Sequence, residues 1–110
     1  MGENNAVVAL RATDGKHQWT FTHDWPTFNF QASSPGDGTI VFQDRAGGLY
    51  RIRLSDGSKV WESGISDRQL YDMSTGASVV GPNGLVYVAS NYKGNGIIHA
   101  YQLEDGTAAW

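Results

Sequence analysis

Residue types that carry chemistry are few and scattered along this 110-residue sequence. His17, His23 and His99 could ligate a metal through imidazole nitrogen only if all three converge. His17 and His23 stand six apart across a strand end and His99 falls on a core-facing position, so structural roles are favoured. Asn91-Tyr92-Lys93-Gly94-Asn95-Gly96 offers oxygens but lacks the paired carboxylates of a Ca²⁺ loop, and reads as a plain turn. Ser33-Ser34 has no G-x-S-x-G context, so no nucleophile elbow is expected there. Gly36-Asp37-Gly38 is too short for a phosphate fingerprint and opens no helix. With no cysteine, thiolate sites, thiol nucleophiles and disulfides are all absent.

Arg45, Arg51, Arg53 and Arg68 gather in the middle of the chain and are candidate interface residues. The competing expectation is that they pair with nearby carboxylates such as Asp44, Glu62 or Asp67. Trp25, outside any repeat frame, is either a connector packed on a sheet end or an interface anchor. A net charge of −3 gives no electrostatic footprint for nucleic acid or anionic lipid. No apolar run is long enough for a membrane-spanning helix, so no membrane insertion is expected from these residues. Residues 1–10 lack the basic start and apolar core of a signal peptide, and the compartment stays open.

The elements that must position these residues repeat three times. Ala9 to Trp19, Arg51 to Trp61 and Ala100 to Trp110 each carry an Asp-Gly pair four to five residues before a Trp, after a short apolar run. The Trp-to-Trp intervals are 42 and 49, the range of propeller blades or another repeat array. Asp-Gly between two β-type runs predicts a tight hairpin turn, with the Trp on its second arm. Counting back from each Trp, positions −11, −9 and −7 are Val8/Leu10/Ala12, Tyr50/Ile52/Leu54 and His99/Tyr101/Leu103, on one strand face. Val7, Leu49 and Ile98 at −12 make the other face apolar as well, so these strands must lie between neighbouring sheets.

The expected fold is all-β, a partial β-propeller of about two four-stranded antiparallel blades plus a leading hairpin. Its units are a hairpin over 6–21, a blade over 28–62 with Phe28-Asn29-Phe30 opening its inner strand, and a blade over 76–110. The extra seven residues of the longer interval are assigned to the polar connector 63–74 and to a loop over 91–96. Only 65–73 is allowed a turn of helix. An unclosed array leaves sheet faces and strand edges bare, so protein partners or further blades are expected to cover them. Self-assembly would need the leading half-blade to pair with a neighbour's strands.

Ala9, Gly15 and Trp19, then Gly57 and Trp61, then Ala100, Gly106 and Trp110, with Ser34-Pro35 and Gly84-Leu85-Val86-Tyr87, resemble the repeat of pyrroloquinoline-quinone-type (PQQ-like) propellers. That family includes quinoprotein alcohol dehydrogenases and the related scaffold lipoprotein of outer-membrane barrel assembly. The resemblance implies that Trp19, Trp61 and Trp110, with Gly15, Gly57 and Gly106, dock adjacent blades together. It also leans toward an extracytoplasmic setting. Dehydrogenases of this kind hold quinone and Ca²⁺ at the propeller axis with Glu, Asn and Asp ligands, a catalytic Asp and often a vicinal disulfide. Here Arg11, Arg53 and Gln102 stand at −8, where their strict pattern has Asp, and Arg51 replaces a small residue at −10. The resemblance therefore implies a non-catalytic segment, without cofactor, metal or catalytic residue of its own, serving as a scaffold or protein–protein interaction module. The alternative is a fragment of a quinone-dependent alcohol or sugar dehydrogenase whose PQQ and calcium residues lie elsewhere in a longer chain.

Overall fold

Each Asp-Gly segment folds as a four-residue turn closed by the same pair of backbone bonds. The amide of Gly15, Gly57 or Gly106 donates to the carbonyl of Arg11, Arg53 or Gln102, and the amides of those three residues donate to Lys16, Ser58 and Thr107. The aspartate caps the turn from inside: Oδ1 of Asp14, Asp56 and Asp105 accepts the amide two residues on, at 2.9–3.0 Å. Glycine is required at the fourth position because φ there is +72 to +77°.

The computed structural model describes residues 6–27, 31–64, 71–73 and 77–110. Among them every regular element is a strand: β1 (Ala6–Leu10), β2 (His17–Thr22), β3 (Thr39–Gln43), β4 (Leu49–Arg53), β5 (Lys59–Ser63), β6 (Tyr71–Met73), β7 (Val79–Val80), β8 (Leu85–Tyr92) and β9 (Asn95–Gln102). They form three antiparallel sheets: the hairpin β1-β2, the meander β3-β4-β5, and a third sheet in which β8 pairs with β9 on one side and with β6 and β7 on the other. A bridge from Ser33 to Val41 adds the trace of a fourth strand to the second sheet, and one from Tyr101 to Ala108 extends the four-stranded third sheet beyond β9.

Three expectations need correcting. The segment 91–96 is not a loop: β8 and β9 stay paired through Asn91↔Gly96 and Tyr92↔Asn95, leaving only Lys93 and Gly94 to turn. Both have positive φ, 51° and 78°, the geometry of a two-residue hairpin whose twist matches that of its strands. The connector after the second sheet contributes β6, which takes the free edge of β8 at Tyr92 and Asn91. Thr107–Trp110 forms no regular strand: it meets β9 through an isolated bridge at Ala108 and backbone bonds at Thr107, Ala109 and Trp110. The expected inner-strand start at 28–30 and residues 65–70, where helix was allowed, lie outside the described residues.

Alternation along the strands sorts side chains into two seams. Between the first and second sheets, Trp19, Phe42, Tyr50 and Ile52 pack with Val7, Ala9, Phe21, Ala32 and Ile40. Val41, Leu49, Trp61, Val86, Val88 and Tyr101 fill the seam between the second and third. Strand β4 thus feeds both cores, Tyr50 and Ile52 to one side and Leu49 to the other, all at most 2% exposed. That is the physical meaning of a strand apolar on both faces.

Candidate functional site

The repeated tryptophan is positioned first by register. Trp19 pairs with Ala9 and Trp61 with Arg51, and each hairpin shifts register one step later, at Leu10 and Ile52. Trp110 stands opposite Ala100 in the same way, its carbonyl accepting the Ala100 amide at 2.7 Å. The ring then leaves its own sheet. Trp19 Nε1 donates to the Leu54 carbonyl at 2.7 Å, and Trp61 Nε1 to the Leu103 carbonyl at 2.8 Å. Both rings lie flat on the glycine of the next turn: a Cβ on Gly57 would stand 2.5 Å from Trp19 Cε3, and one on Gly106 would stand 2.6 Å from Trp61 Cε3. Trp19 and Trp61 are 7% and 8% exposed, whereas Trp110 is 62% exposed and touches only the ring of Tyr87 among the aromatic contacts of the described residues.

The second seam carries a polar strut that the first lacks. Arg51, at the −10 position held by alanine in the other two copies, donates through Nη1 to the Leu103 carbonyl at 2.7 Å, the acceptor also used by Trp61. Its other nitrogens reach Thr39 Oγ1 and Asp37 Oδ2, at 3.1 and 2.5 Å. Hydrogen bonds from the Thr39 side chain and then its amide, with the Arg51 charge, hold the Asp37 carboxyl below its ordinary 3.8. A cleft of about 370 Å³ opens beside the strut, lined by Arg51, Asn83, Gly84, Gln102, Leu103 and Glu104. Deeper in the seam, the Ser33 hydroxyl donates to the Ser78 carbonyl, and the Ser78 hydroxyl donates to Val41 at 2.9 Å.

Asp44 is the polar residue that inspection of the sequence undervalues. Fully buried, its carboxyl accepts from the amides of Ala46 and Gly48 at 2.9 and 2.8 Å and from the Tyr50 hydroxyl at 2.7 Å. A buried carboxyl is tolerated only when satisfied in this way. The only hint in the sequence is an Asp between an apolar strand and Gly47-Gly48. His23 is buried in a ring cluster with Phe21, Phe42 and Tyr50, and its Nδ1 donates to the Trp25 carbonyl at 2.6 Å. Beside it a cleft of about 270 Å³ is lined by Asp24, Lys59 and Glu62, the last two joined as an ion pair.

The arginines do not act as one group. Arg51 finds Asp37 rather than Asp44 or Glu62, because Asp44 is closed inside its own turn and Glu62 takes Lys59. Arg45 is exposed, Arg53 is exposed with its guanidinium on Ser58 at 3.0 Å, and Trp25 is half-buried. Arg68 lies outside the described residues. Ser34 is spent on the Thr39 carbonyl, and His17 faces Thr20. No group of three or more His, Asp or Glu among the described residues is arranged to hold a metal ion. Among the described residues the buried Asp44 carboxyl is taken up by two backbone amides and the Tyr50 hydroxyl, and the Ser33 and Ser78 hydroxyls by backbone carbonyls, which leaves none of them turned toward a quinone or Ca²⁺. No helix among the described residues is long and apolar enough to cross a membrane.

Three sheets face to face, the first two each passing a tryptophan to the turn of the next, are the local geometry of a propeller. The family described as outer membrane protein assembly factor BamB matches residues 1–110. The chain belongs to this PQQ-like repeat family. Its fold, all-β with small antiparallel sheets, is that of a partial PQQ-like propeller. Solved structures similar to it include a europium-containing methanol dehydrogenase, at 20% identity and TM-score 0.80 over 99% of this chain and 21% of that one. BamB from Moraxella catarrhalis is similar at 18% and 0.73, over 97% of this chain and 31% of that one. Quinohemoprotein alcohol dehydrogenase from Comamonas testosteroni follows at 20% and 0.76, over 96% and 18%. At these identities the likeness is one of fold, and the chain spans less than a third of each. No curated protein sequence matches the chain.

Proposed function

We propose that the chain is a non-catalytic segment of a PQQ-like propeller that serves as a scaffold or protein–protein interaction module within a larger protein or complex. The observation that carries this is a division of labour. Polar groups buried in the described seams close turns and bridge sheets, while large apolar side chains remain on the two outer faces. Val8 and Leu10 are 52% and 60% exposed on the first sheet, and Val79, Ile98 and Trp110 are 57–63% exposed on the third. Apolar faces of this kind call for protein cover. Within the chain, Trp19 and Trp61 with Gly57 and Gly106 serve as docking elements, and Trp110 and Gly15 extend the series. Trp25 and the exposed Arg45 and Arg53 are candidate contacts for a partner.

The experiment is to mix the protein with PQQ and Ca²⁺ and measure quinone binding by calorimetry and dye-linked alcohol oxidation. Neither is expected; stoichiometric binding or robust oxidation overturns the proposal. A second reading, a fragment of a quinone-dependent dehydrogenase, is supported by the dehydrogenases among the similar structures. It requires the quinone and calcium residues to lie outside these 110, and activity of a longer parent chain would favour it.

A further inference from the structure

Asparagine followed by glycine occurs at Asn83-Gly84 and again at Asn95-Gly96, and the fold treats the two pairs differently. Such a pair can react with itself: glycine has no Cβ to shield its amide, so that nitrogen can reach the side-chain carbonyl of the asparagine before it. Asn83 is tied down. Its Nδ2 donates to the Tyr87 hydroxyl at 2.9 Å, and its Oδ1 accepts the Leu85 amide at 3.3 Å. Asn95 is exposed, and among the described residues its side chain has one bond, from Nδ2 to the Lys93 carbonyl at 3.4 Å, near the outer limit for a hydrogen bond.

Register decides the state of the attacking nitrogen. The Leu103 amide donates to the Gly84 carbonyl, and antiparallel pairs alternate between bonded and non-bonded, so the bonded pairs of β8 and β9 run on from there to Ser90↔Ile97 and Tyr92↔Asn95. Gly96, opposite Asn91, falls on a non-bonded pair, and its N–H points away from β8. The amides of Ala100 and Gln102 face the same way and are taken by the Trp110 and Thr107 carbonyls, whereas no described residue takes that of Gly96. A strand as long as β5 leaving Trp110 would reach Ile98, the counterpart of Leu49 opposite Ser63, and stop short of Gly96. Gly96 is exposed, its φ lies outside the left-handed region, and a Cβ built on it meets nothing within 4 Å. Both reacting groups therefore stand in solvent beside a two-residue turn, where strand ends open most readily.

We propose that Asn95-Gly96 is a site of spontaneous covalent modification in the folded protein, converting to aspartate and isoaspartate while Asn83-Gly84 persists. The Gly96 nitrogen gives its proton to solvent hydroxide and attacks the Asn95 side-chain carbonyl carbon. The new C–N bond closes a succinimide ring, and the bond to Nδ2 breaks as that nitrogen takes a solvent proton and leaves as ammonia. Water then adds to either ring carbonyl and opens the ring, giving aspartate or isoaspartate. Water is the only co-reactant, and nothing is oxidised or reduced. Either product places a carboxylate at the hairpin tip, next in the chain to Lys93-Gly94. Isoaspartate also routes the main chain through the side chain, one methylene longer, so Asn91↔Gly96 and Tyr92↔Asn95 cannot both be kept and the hairpin shortens toward Ser90↔Ile97. The inference stands apart from the scaffold proposal, because it uses this hairpin alone.

The test is to age the folded protein in mildly alkaline buffer and follow both pairs by peptide mass spectrometry, with fragmentation that tells isoaspartate from aspartate. Asn95 should convert about ten-fold faster than Asn83, the factor that the two better bonds of Asn83 are worth. In concentrated urea, where only the sequence acts, the two rates should draw together. Y87F removes the acceptor of the Asn83 amide, and should speed Asn83 while leaving Asn95 unchanged. G96A sets a methyl beside the attacking nitrogen in an open position with strand backbone, and should bring Asn95 down to the rate of Asn83 or below. Circular dichroism confirms that each variant is folded, and ion exchange should resolve aged wild type into the starting form and one with an added negative charge. An Asn83 that converts as fast as Asn95 in the folded protein, a ratio in urea equal to that in buffer, or a G96A in which residue 95 converts at the wild-type rate overturns the proposal.

Discussion

Glycines with nearly the same backbone separate into two kinds. Gly57 and Gly106 lie under tryptophan rings; Gly15 and Gly36 have no heavy atom within reach of a Cβ. Replacing either of the first pair by alanine adds overpacking to left-handed strain, and G57A or G106A should cost about 2–4 kcal/mol in denaturant unfolding. G36A meets the strain alone and should cost about 1 kcal/mol. If all three cost the same, the rings do not depend on the close approach. Asp44 gives a second residue-scale expectation: Y50F keeps the ring but removes a hydroxyl that donates to a buried carboxyl, and should cost about 1–3 kcal/mol by the same measurement.

At the scale of elements, the aspartates that cap the turns contribute to the chain's pH dependence. Hydrogen bonds from the Ser58 side chain and amide hold the Asp56 carboxyl below 3.8, and bonds from the Thr107 amide and side chain do the same for Asp105. A folded-state value below the unfolded one means that the unfolded chain takes up protons first as pH falls. Stability from these turns is therefore fully present above about pH 5 and declines as pH drops through the unfolded and then the folded values. Urea midpoints measured from pH 6 down to pH 2 should fall in acid, and D56N with D105N should flatten the decline; an unchanged slope would mean the turns do not carry it. The β8-β9 hairpin offers the opposite lever. Lys93 holds a positive φ that asparagine adopts more readily, so K93N should raise stability by about 0.5–1 kcal/mol in thermal unfolding.

For the whole molecule, stability is shared between two seams, each centred on one tryptophan. Removing Trp61 empties the centre of the second core and frees the Leu103 carbonyl from one of its two donors. W61A should cost about 3–5 kcal/mol, much of the stability of a small domain. W110A should stay within about 0.5 kcal/mol, because that ring is exposed. Equal costs for the two would show that the open third sheet is not open in solution.

What the sequence by itself determined is local and repetitive. Three Asp-Gly turns, strands apolar on both faces and a tryptophan on each second arm were legible because turn geometry and strand alternation depend on residues a few positions apart. The same short reach explains what was missed. Lys93-Gly94 carries no strong hairpin signal, so the paired run through Asn91 and Asn95 read as a loop, and β6 is too short and polar to announce itself. Tertiary structure decided the acceptors and the pairings across seams. Trp19 and Leu54 are 35 residues apart and Arg51 and Leu103 are 52 apart, and every residue has a carbonyl, so composition cannot mark which one a neighbouring ring will reach. It also decided that three tryptophans in one register meet two environments, because burial of each ring depends on whether another sheet lies beyond it.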